Sequence, residues 1–426
     1  MGFEIGNRRT LKNALYSTGP PWTGARLPAT IPPTMNRGRI AALFGAAVLY
    51  FVALYAYVPS LPAYVAERTS RLTAVGAVLA MYGLWMAVLR MPLGVVTDAT
   101  GRYKPYLVGG VLMAGIGAAV MAFGKSLGIL ALGRALTGVS AAAWVPMMVV
   151  FAGFFPPERT IFATSLLSFA SSLGMMIGTS LTGFLETLGG YGCAFFAAAG
   201  LSISASIILA CVRIPRMDAG HRGQVTAGSV LAIFRRRDVL VPSFTNALCQ
   251  FGVWALTFGF MPLLARRMGA SAVATSLIIT LNIAANTAAN LFATLIAHRG
   301  GRRLLLYGSF AAFAGGALLP ALGQSVPVLF ISTVIMGLAN GLFFPILLGL
   351  SIQRVDAAHR STAMGIHQSV YAIGMFTGPW IGGVLADAVG IRSMFAIVAA
   401  FSLAAPSALI ALNRPVAPAE RGEASG

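Results

Sequence analysis

Long apolar runs alternate with short polar segments over residues 37–413. Many of the runs approach the ~20 residues that a helix needs to cross a bilayer. Since a backbone inside lipid must satisfy its own hydrogen bonds, each run predicts a membrane-spanning helix. The pattern predicts twelve such helices, called spans 1 to 12 below, at about residues 40–65, 72–97, 104–123, 127–152, 161–186, 191–212, 240–264, 271–296, 303–323, 327–351, 361–386 and 391–412.

A longer polar segment, from Arg213 to Asp238, separates the sixth span from the seventh. It divides the pattern into six spans plus six. The expected organisation is a disordered basic N-terminal tail at 1–36, an N-terminal six-helix bundle at 37–213, a cytoplasmic linker at 214–238, a C-terminal six-helix bundle at 239–413 and a C-terminal tail at 414–426.

The two halves repeat each other at a shift of 200 residues. The aligned glycines fall in the same loop and the same spans of each half, and they are Gly101 and Gly301, Gly115 and Gly315, Gly174 and Gly374, Gly178 and Gly378, Gly183 and Gly383, and Gly190 and Gly390. A repeat of this kind is typical of secondary transporters, which bind substrate between two halves near the middle of the bilayer.

Composition agrees with a membrane protein, because 57% of the residues are hydrophobic and only 10% are charged, against about 25% charged in soluble domains. The net charge of +19 does not indicate a nucleic-acid partner, since the basic residues are dispersed among loops. Of the 30 Lys and Arg residues, 22 lie in the termini and loops on one side. The positive-inside rule therefore predicts a multi-pass protein of the cell (inner or plasma) membrane with both termini in the cytoplasm.

The loop after span 2 carries a compact motif of Gly94, Asp98, Gly101, Arg102 and Lys104. Together with Arg134 and Gly138 in span 4 and the glycines of span 11, it resembles the signature of the major facilitator superfamily (MFS). The resemblance covers residues 37–413. The second copy of the loop keeps part of the motif and has other residues at the glycine and aspartate positions, namely Gly301, Arg302 and Arg303, with Thr294 and His298.

The resemblance implies the MFS fold, an all-α polytopic membrane protein whose twelve helices form two pseudo-symmetric six-helix bundles. It also implies that Asp98 lies near the N-terminus of span 11 and that Arg102 pairs with Glu158 when the cytoplasmic side closes. A carboxylate at a helix N-terminus contributes ~0.3–1 kcal/mol, or up to ~2 kcal/mol when partly buried. The alternative is a charged loop that only fixes the topology. The predicted gating residues are Gly94, Asp98, Gly101, Arg102, Lys104, Glu158, Gly301 and Arg302.

Polar and aromatic side chains within the spans predict a central cavity that is aromatic on one side and rich in amides on the other. Arg134 is the deepest charge and has no mid-span carboxylate partner, so it binds backbone and water, meets an anionic substrate group or serves proton transfer. Arg90 lies nearer the cytoplasmic end, where its side chain is expected to extend to the surface. The predicted cavity or coupling residues are Arg134, Tyr50, Tyr82, Asn246, Gln250, Trp254, Asn282, Asn286, Asn340, His367, Gln368 and Tyr371. Interhelical hydrogen bonding is the alternative role for the amides.

These features predict a secondary active transporter of a small organic solute. The expected partners are a small-molecule substrate, the lipid bilayer and protons, without nucleic acid, and the chain is expected to be a monomer. The sequence has no nucleophile–base arrangement, nucleotide-binding loop or metal cluster, so we expect no enzymatic activity, cofactor or metal. If protons are coupled, His367 or an outer carboxylate such as Glu186 is expected to take part.

Three functions stay open at this point. The aromatic, Met-rich first half favours efflux of amphipathic compounds by an antiporter. The asparagines, Arg134 and the presence of Thr179, where many drug/proton antiporters of the family have proline, favour uptake or facilitated transport of a polar or anionic metabolite. A receptor or scaffold that does not transport is the third alternative.

Overall fold

The computed structural model describes residues 37–156, 159–214, 227–296, 301–356 and 359–412. Almost all of these residues are helical. The helices of the first four spans are Arg37–Tyr55 with Leu61–Ala66, then Leu72–Thr100, then Tyr103–Phe123, and then Leu127–Ala142 with Trp144–Ala152. The predicted bounds of these spans agree with the structure to within a few residues.

Spans 5 and 6 form one long helix, Thr160–Cys211, which bends at a pair of glycines. Gly190 has a φ of 67°, in the left-handed region that glycine adopts without steric cost. The described residues include 11 helices long and apolar enough to cross a membrane, and the one that runs from Phe162 to Cys211 does so twice. The described residues therefore contain twelve spans, which confirms the predicted all-α membrane architecture.

The second half has the same order of helices. Spans 7 to 12 comprise Arg237–Val253, a π-helix at Trp254–Phe260 and Met261–Arg267, then Ala272–Ile296, Arg302–Leu322, Val326–Ile352, Arg360–Val389 and Ile391–Leu412. Two features of this half were not predicted. One is the π-helix inside span 7, and the other is a short helix, Ala227–Phe234, within the predicted linker. Both predicted tails lie outside the described residues.

The aligned glycines make equivalent helix contacts in the two halves. In the first half, a Cβ added to Gly174 would lie 2.6 Å from the carbonyl oxygen of Val48 in span 1. In the second half, a Cβ added to Gly374 would lie 2.9 Å from the backbone nitrogen of Phe251 in span 7. Glycines at both places let the helix backbones approach closely. Span 5 therefore packs on span 1 as span 11 packs on span 7, which is the structural form of the repeat.

Candidate functional site

The guanidinium of Arg134 lies over an aromatic ring. Its central carbon is 4.4 Å from the centroid of the Tyr82 ring, within the range of a cation–π contact. Tyr82 also contacts the second half of the chain, since its ring stacks on that of Trp254 with centroids 5.3 Å apart and planes at 18°. All three side chains are buried, and Arg134 is 3% exposed. This stack of Arg134, Tyr82 and Trp254, called the central stack below, joins spans 4, 2 and 7.

Gly138 explains how Arg134 reaches this position. It follows Arg134 by four residues, so both lie on the same face of span 4. A Cβ at Gly138 would lie 2.5 Å from the backbone oxygen of Tyr82, which shows how closely span 4 packs on span 2. The R-x-x-x-G motif thus sets the guanidinium against the Tyr82 ring.

Arg90 is a second buried cation, in span 2. Its Nη1 donates a hydrogen bond of 3.0 Å to the hydroxyl of Tyr371 in span 11 and lies 3.4 Å from the sulfur of Met86. The residue is only 5% exposed. The expectation that its side chain extends to the membrane surface is therefore wrong, because a hydroxyl and a sulfur accept from it inside the bundle.

The two arginines keep donors without acceptors. The Nε and Nη1 of Arg134 and the Nε of Arg90 are buried and have no hydrogen-bond partner among the described residues. The chain has 11 Asp and Glu residues in all, and none of them lies in the middle of a span. The positive charge in the core of the bundle is therefore not balanced by an acidic side chain at the same depth.

His367 is fully buried and joins span 11 to span 7 through both ring nitrogens. Its Nδ1 is 3.0 Å from the hydroxyl of Ser243, and its Nε2 is 3.0 Å from the amide nitrogen of Asn246. Because Ser243 donates its proton to the backbone oxygen of Val239 at 2.6 Å, it accepts from Nδ1. With the Asn246 amide in this orientation, the hydrogen bonds match a neutral ring that carries its proton on Nδ1 and accepts from Asn246 at Nε2.

The other predicted cavity residues have mixed surroundings. Gln250 donates to Asn340 at 3.3 Å, which joins spans 7 and 10 near the central stack. The Oε1 of Gln368 is buried without a described partner, and Asn286 is half-buried. In contrast, Tyr50 and Asn282 donate to backbone oxygens of neighbouring spans, those of Ser140 and Thr333, both at 2.8 Å. Tyr50 thus stabilises helix packing within the first half, and Asn282 does so within the second half.

Asp387, at the end of span 11, binds the first turn of span 2 in the other half. Its carboxylate accepts from the backbone nitrogen of Leu72 at 2.8 Å, and from both the backbone nitrogen and the hydroxyl of Thr73 at 2.7 Å. The first N–H groups of a helix have no partner within the helix, and the helix dipole favours an anion there. This contact lies at the end of the bundle that joins span 1 to span 2, called the predicted outer end below.

Two more polar contacts join the halves toward the same end. Glu186 of span 5 forms an ion pair with Arg266 of span 7 and accepts from the hydroxyl of Ser60. Deeper in the bundle, the hydroxyls of Thr179 in span 5 and Thr280 in span 8 are 2.8 Å apart. Thr179 occupies the position where proline was expected from the family pattern, and its hydroxyl makes a contact between the halves that proline lacks.

The glycine pair Gly183 and Gly383 lies directly beneath this end. A Cβ on Gly183 would be 2.5 Å from the backbone oxygen of Ala272 at the start of span 8. A Cβ on Gly383 would be 2.5 Å from the backbone oxygen of Leu72 near the start of span 2. Each glycine thus packs on the first turn of a helix in the opposite half. We call these glycines, together with Asp387, Thr73, Glu186 and Arg266, the outer seam.

The predicted gating residues lie at the opposite end. Gly101 and Gly301 both adopt positive φ angles, of 62° and 98°, at the equivalent turns. Arg302 donates to Gln353 at the end of span 10, at 2.9 Å. Arg102 is exposed, while Gly94 and Lys104 are partly buried. Glu158 lies outside the described residues, as does the side chain of Asp98, so their predicted contacts remain predictions.

The outer seam was not predicted from the sequence. A signal for it exists, since Glu186 and Asp387 follow the aligned glycines 183 and 383 by three and four residues. In both helices, the glycine allows a close approach to a helix of the other half, and the acid that follows binds a residue of that half. The aromatic residues Tyr55 and Phe258, whose rings are 6.3 Å apart across the halves, were also missed.

Two repeated six-span bundles that meet around buried arginine, aromatic and amide side chains define a membrane transport protein. The chain belongs to the Major Facilitator Superfamily, whose family model matches residues 43–276 and 243–426. An uncharacterized MFS-type transporter of Methanocaldococcus jannaschii is 22% identical over 339 residues, covering 77% of this chain and 86% of that protein.

Other similar proteins include a curated relative and a solved structure. Multidrug resistance protein 1 of Bacillus subtilis is 25% identical over 351 residues, covering 79% of this chain and 87% of that protein. A crystal structure of a mutant of the nucleoside transporter NupG has a TM-score of 0.74 at 14% identity, covering 88% of this chain and 100% of that one. This structural likeness shows the shared fold.

Proposed function

We propose that the protein is a secondary active transporter that moves a small organic solute by alternating access. The solute binds at the central stack and the neighbouring amides, between the two halves. The outer seam is one of two gates. The observation that carries this proposal is the set of polar contacts that join the halves at the predicted outer end, above a buried layer of unsatisfied donors.

The second gate is proposed to be the loop after span 2. There we propose that Asp98 lies at the N-terminus of span 11, as the family resemblance implies. Asp387 has the converse arrangement, since it lies at the end of span 11 and binds the N-terminus of span 2. We infer that the two carboxylates act alternately, each stabilising closure at its own end of the bundle. The difference in free energy between closure at the outer end and closure at the cytoplasmic end sets the populations of the two states.

Two directions of transport remain candidates. Efflux of amphipathic compounds is supported by the aromatic residues Tyr82, Trp254 and Phe258 and by similarity to a relative named for multidrug resistance. Uptake of a polar or anionic metabolite is supported by the unsatisfied arginines and the buried amides. Flux of a loaded solute from proteoliposomes under an imposed pH gradient separates the two, because export of hydrophobic cations driven by inward protons excludes uptake.

The alternating gates are tested with Asp387→Asn and Asp98→Asn in the full chain. Spin labels at Arg71→Cys and Arg267→Cys, after replacement of the three native cysteines, report the distance across the outer end. Hydrogen bonds to a charged group contribute about 1.5–3 kcal/mol, so Asp387→Asn is expected to raise the population of the longer distance about tenfold or more. Asp98→Asn is expected to lower it, and exposed Asp356→Asn serves as a control of equal charge.

Transport of the loaded solutes is measured on the same variants. Loss of flux in Asp98→Asn and Asp387→Asn, with both proteins still in the membrane, supports alternating access. If the label distances stay the same in all variants and Asp98→Asn keeps full function, the chain is a rigid receptor or scaffold and the proposal fails.

A further inference from the structure

We propose that the substrate of the central stack is an organic anion with a planar aromatic ring, whose acidic group binds Arg134 and whose ring packs on Tyr82 and Trp254. The inference deepens the proposed transport function and rests on it. The chemical class is an aromatic carboxylate or a similar monoanion.

The charge balance of the spans supports an anion. Arg90 and Arg134 are both buried, and no acidic residue lies in the middle of any span. A buried cation without a counter-charge is costly in a membrane, and such residues usually mark a substrate or ion pathway. Since the chain supplies no anion at this depth, a bound substrate is the partner that completes the site. A cationic substrate would add a third positive charge to the same region.

Two N–H donors of Arg134 are available to a ligand. The guanidinium lies with its carbon 4.4 Å from the centroid of the Tyr82 ring. The N–H donors of a guanidinium lie in its plane and therefore remain free when its face contacts an aromatic ring. The Nε and Nη1 of Arg134 are buried and have no partner among the described residues. Donors of this kind match the oxygens of a carboxylate.

The aromatic surface next to Arg134 is built by both halves. The Tyr82 ring stacks on Trp254, the Trp254 and Phe258 centroids are 4.8 Å apart, and Phe258 contacts Tyr55. Trp254 and Phe258 belong to the π-helix Trp254–Phe260. A π-helix inserted in a longer helix is frequent at functional sites. Here it brings two aromatic side chains of span 7 into one layer, against which a planar ring can pack.

The arginine and the rings are held by a rigid frame. Gly138 fixes the approach of span 4 to span 2 at the level of Tyr82. Arg90, on the same face of span 2 as Tyr82, is about 12 Å farther along the helix and is bound by Tyr371. It therefore adds to the positive potential of the pathway without occupying the same position. The anionic group is assigned to Arg134 because more of its nitrogens are unpaired.

Thermal unfolding of the purified full-length protein in detergent tests the proposal with three probes of the same shape. They are 2-naphthoate, the neutral 2-naphthamide and the cation 2-naphthylmethylammonium. Naphthoate at saturation is expected to raise the Tm by about 2 to 4 °C, and the amide and the ammonium are expected to leave it unchanged. Acetate tests whether the ring is needed, and is expected to give no shift.

Variants locate the binding site. Arg134→Gln is expected to abolish the naphthoate shift while the protein remains folded, because it removes an unbalanced buried charge. Arg134→Lys keeps the charge but loses the planar fork of N–H donors, so a reduced shift is expected. Tyr82→Leu should weaken naphthoate binding at least tenfold. Arg392→Gln, in the first turn of span 12 at the predicted outer end, removes the same charge elsewhere and should leave the shift intact.

The proposal is overturned if none of the probes stabilises the wild-type protein, if the amide or the ammonium is as effective as naphthoate, or if Arg134→Gln keeps the shift. Naphthoate flux in proteoliposomes separates this inference from the transport function. If naphthoate binds but no solute is moved, the anion site stands and the transport function fails. If a neutral or cationic solute is moved while naphthoate has no effect, transport stands and the anion site fails.

Discussion

The Tyr371 hydroxyl holds the charge of Arg90 between the two halves of the chain. It accepts the 3.0 Å hydrogen bond from Nη1, while the Nε of the same guanidinium has no described partner. When a buried charged donor loses its acceptor, the folded state carries the full desolvation penalty of that donor. The stability of the bundle should therefore depend on this one oxygen atom.

Tyr371→Phe is expected to lower the free energy of unfolding by about 1.5–3 kcal/mol, measured as a decrease in Tm in the same detergent. Tyr307→Phe is the matched control, because the Tyr307 hydroxyl makes no hydrogen bond in the part of the chain that the structure describes. Equal Tm values for the two variants would show that water or lipid satisfies Arg90 in place of Tyr371.

Residues such as these show the limit of prediction from sequence. Arg134 was recognisable as a deep charge without an acidic partner, since both its span and the positions of all acids are visible in the sequence. That Arg90 binds Tyr371 was not, because the two residues are 281 positions apart and their contact depends on how the halves dock. Asn282 was assigned to the cavity by helical spacing, and Tyr50 because it occupies the position of Gln250 in the repeat. Spacing gives the face of a helix but does not say whether that face meets a neighbour or a cavity.

Spans 2 and 11, and spans 5 and 8, form contacts that close the outer end. Gly183 and Gly383 make this closure possible, because a Cβ at either one would meet a backbone oxygen at 2.5 Å. Backbone atoms cannot move aside as a flexible side chain can. The glycines were found from the repeat, but their role depends on the partner helix, which the sequence pattern does not identify.

Gly383→Ala is expected to prevent full closure of the outer seam and to raise the population of the longer distance between labels at Arg71→Cys and Arg267→Cys. Gly315→Ala is the matched control, since a Cβ there meets nothing within 4 Å. It should leave the distance unchanged and slightly stabilise its helix, because alanine favours helices more than glycine does. The same distance distribution in Gly383→Ala and wild type would show that the seam tolerates a methyl group.

The length of the apolar runs was sufficient to predict the twelve spans, because membrane helices need long apolar runs that few other structures require. It could not predict the π-helix at Trp254–Phe260, because the wider turns of a π-helix leave no clear mark in hydropathy. It also missed Ala227–Phe234, since eight residues are too few to cross a bilayer. The first of these misses bears on the site, because the π-helix carries Trp254, which stacks on Tyr82, and Phe258, which contacts Trp254.

Across the whole molecule, the spans carry positive charge in their middle, and the acids within them lie only near their ends. His367, the mid-span residue best suited to carry a proton, has both ring nitrogens bonded, to Ser243 and Asn246. If the His367 ring stays neutral during transport, the charge of an anion bound at Arg134 is not offset by a proton on this residue. Transport of the anion should therefore move net charge and respond to the membrane potential.

Naphthoate efflux from proteoliposomes is expected to accelerate under an inside-negative potential set with valinomycin and a potassium gradient. One charge moved through 100 mV corresponds to about 2.3 kcal/mol, so the equilibrium ratio of concentrations should change roughly 50-fold. Equal potassium on both sides is the control. Flux that ignores the potential but follows an imposed pH gradient would instead indicate compensating proton movement. His367→Gln, which keeps an amide able to bond Asn246 but cannot carry a proton, would then be expected to uncouple the flux from pH.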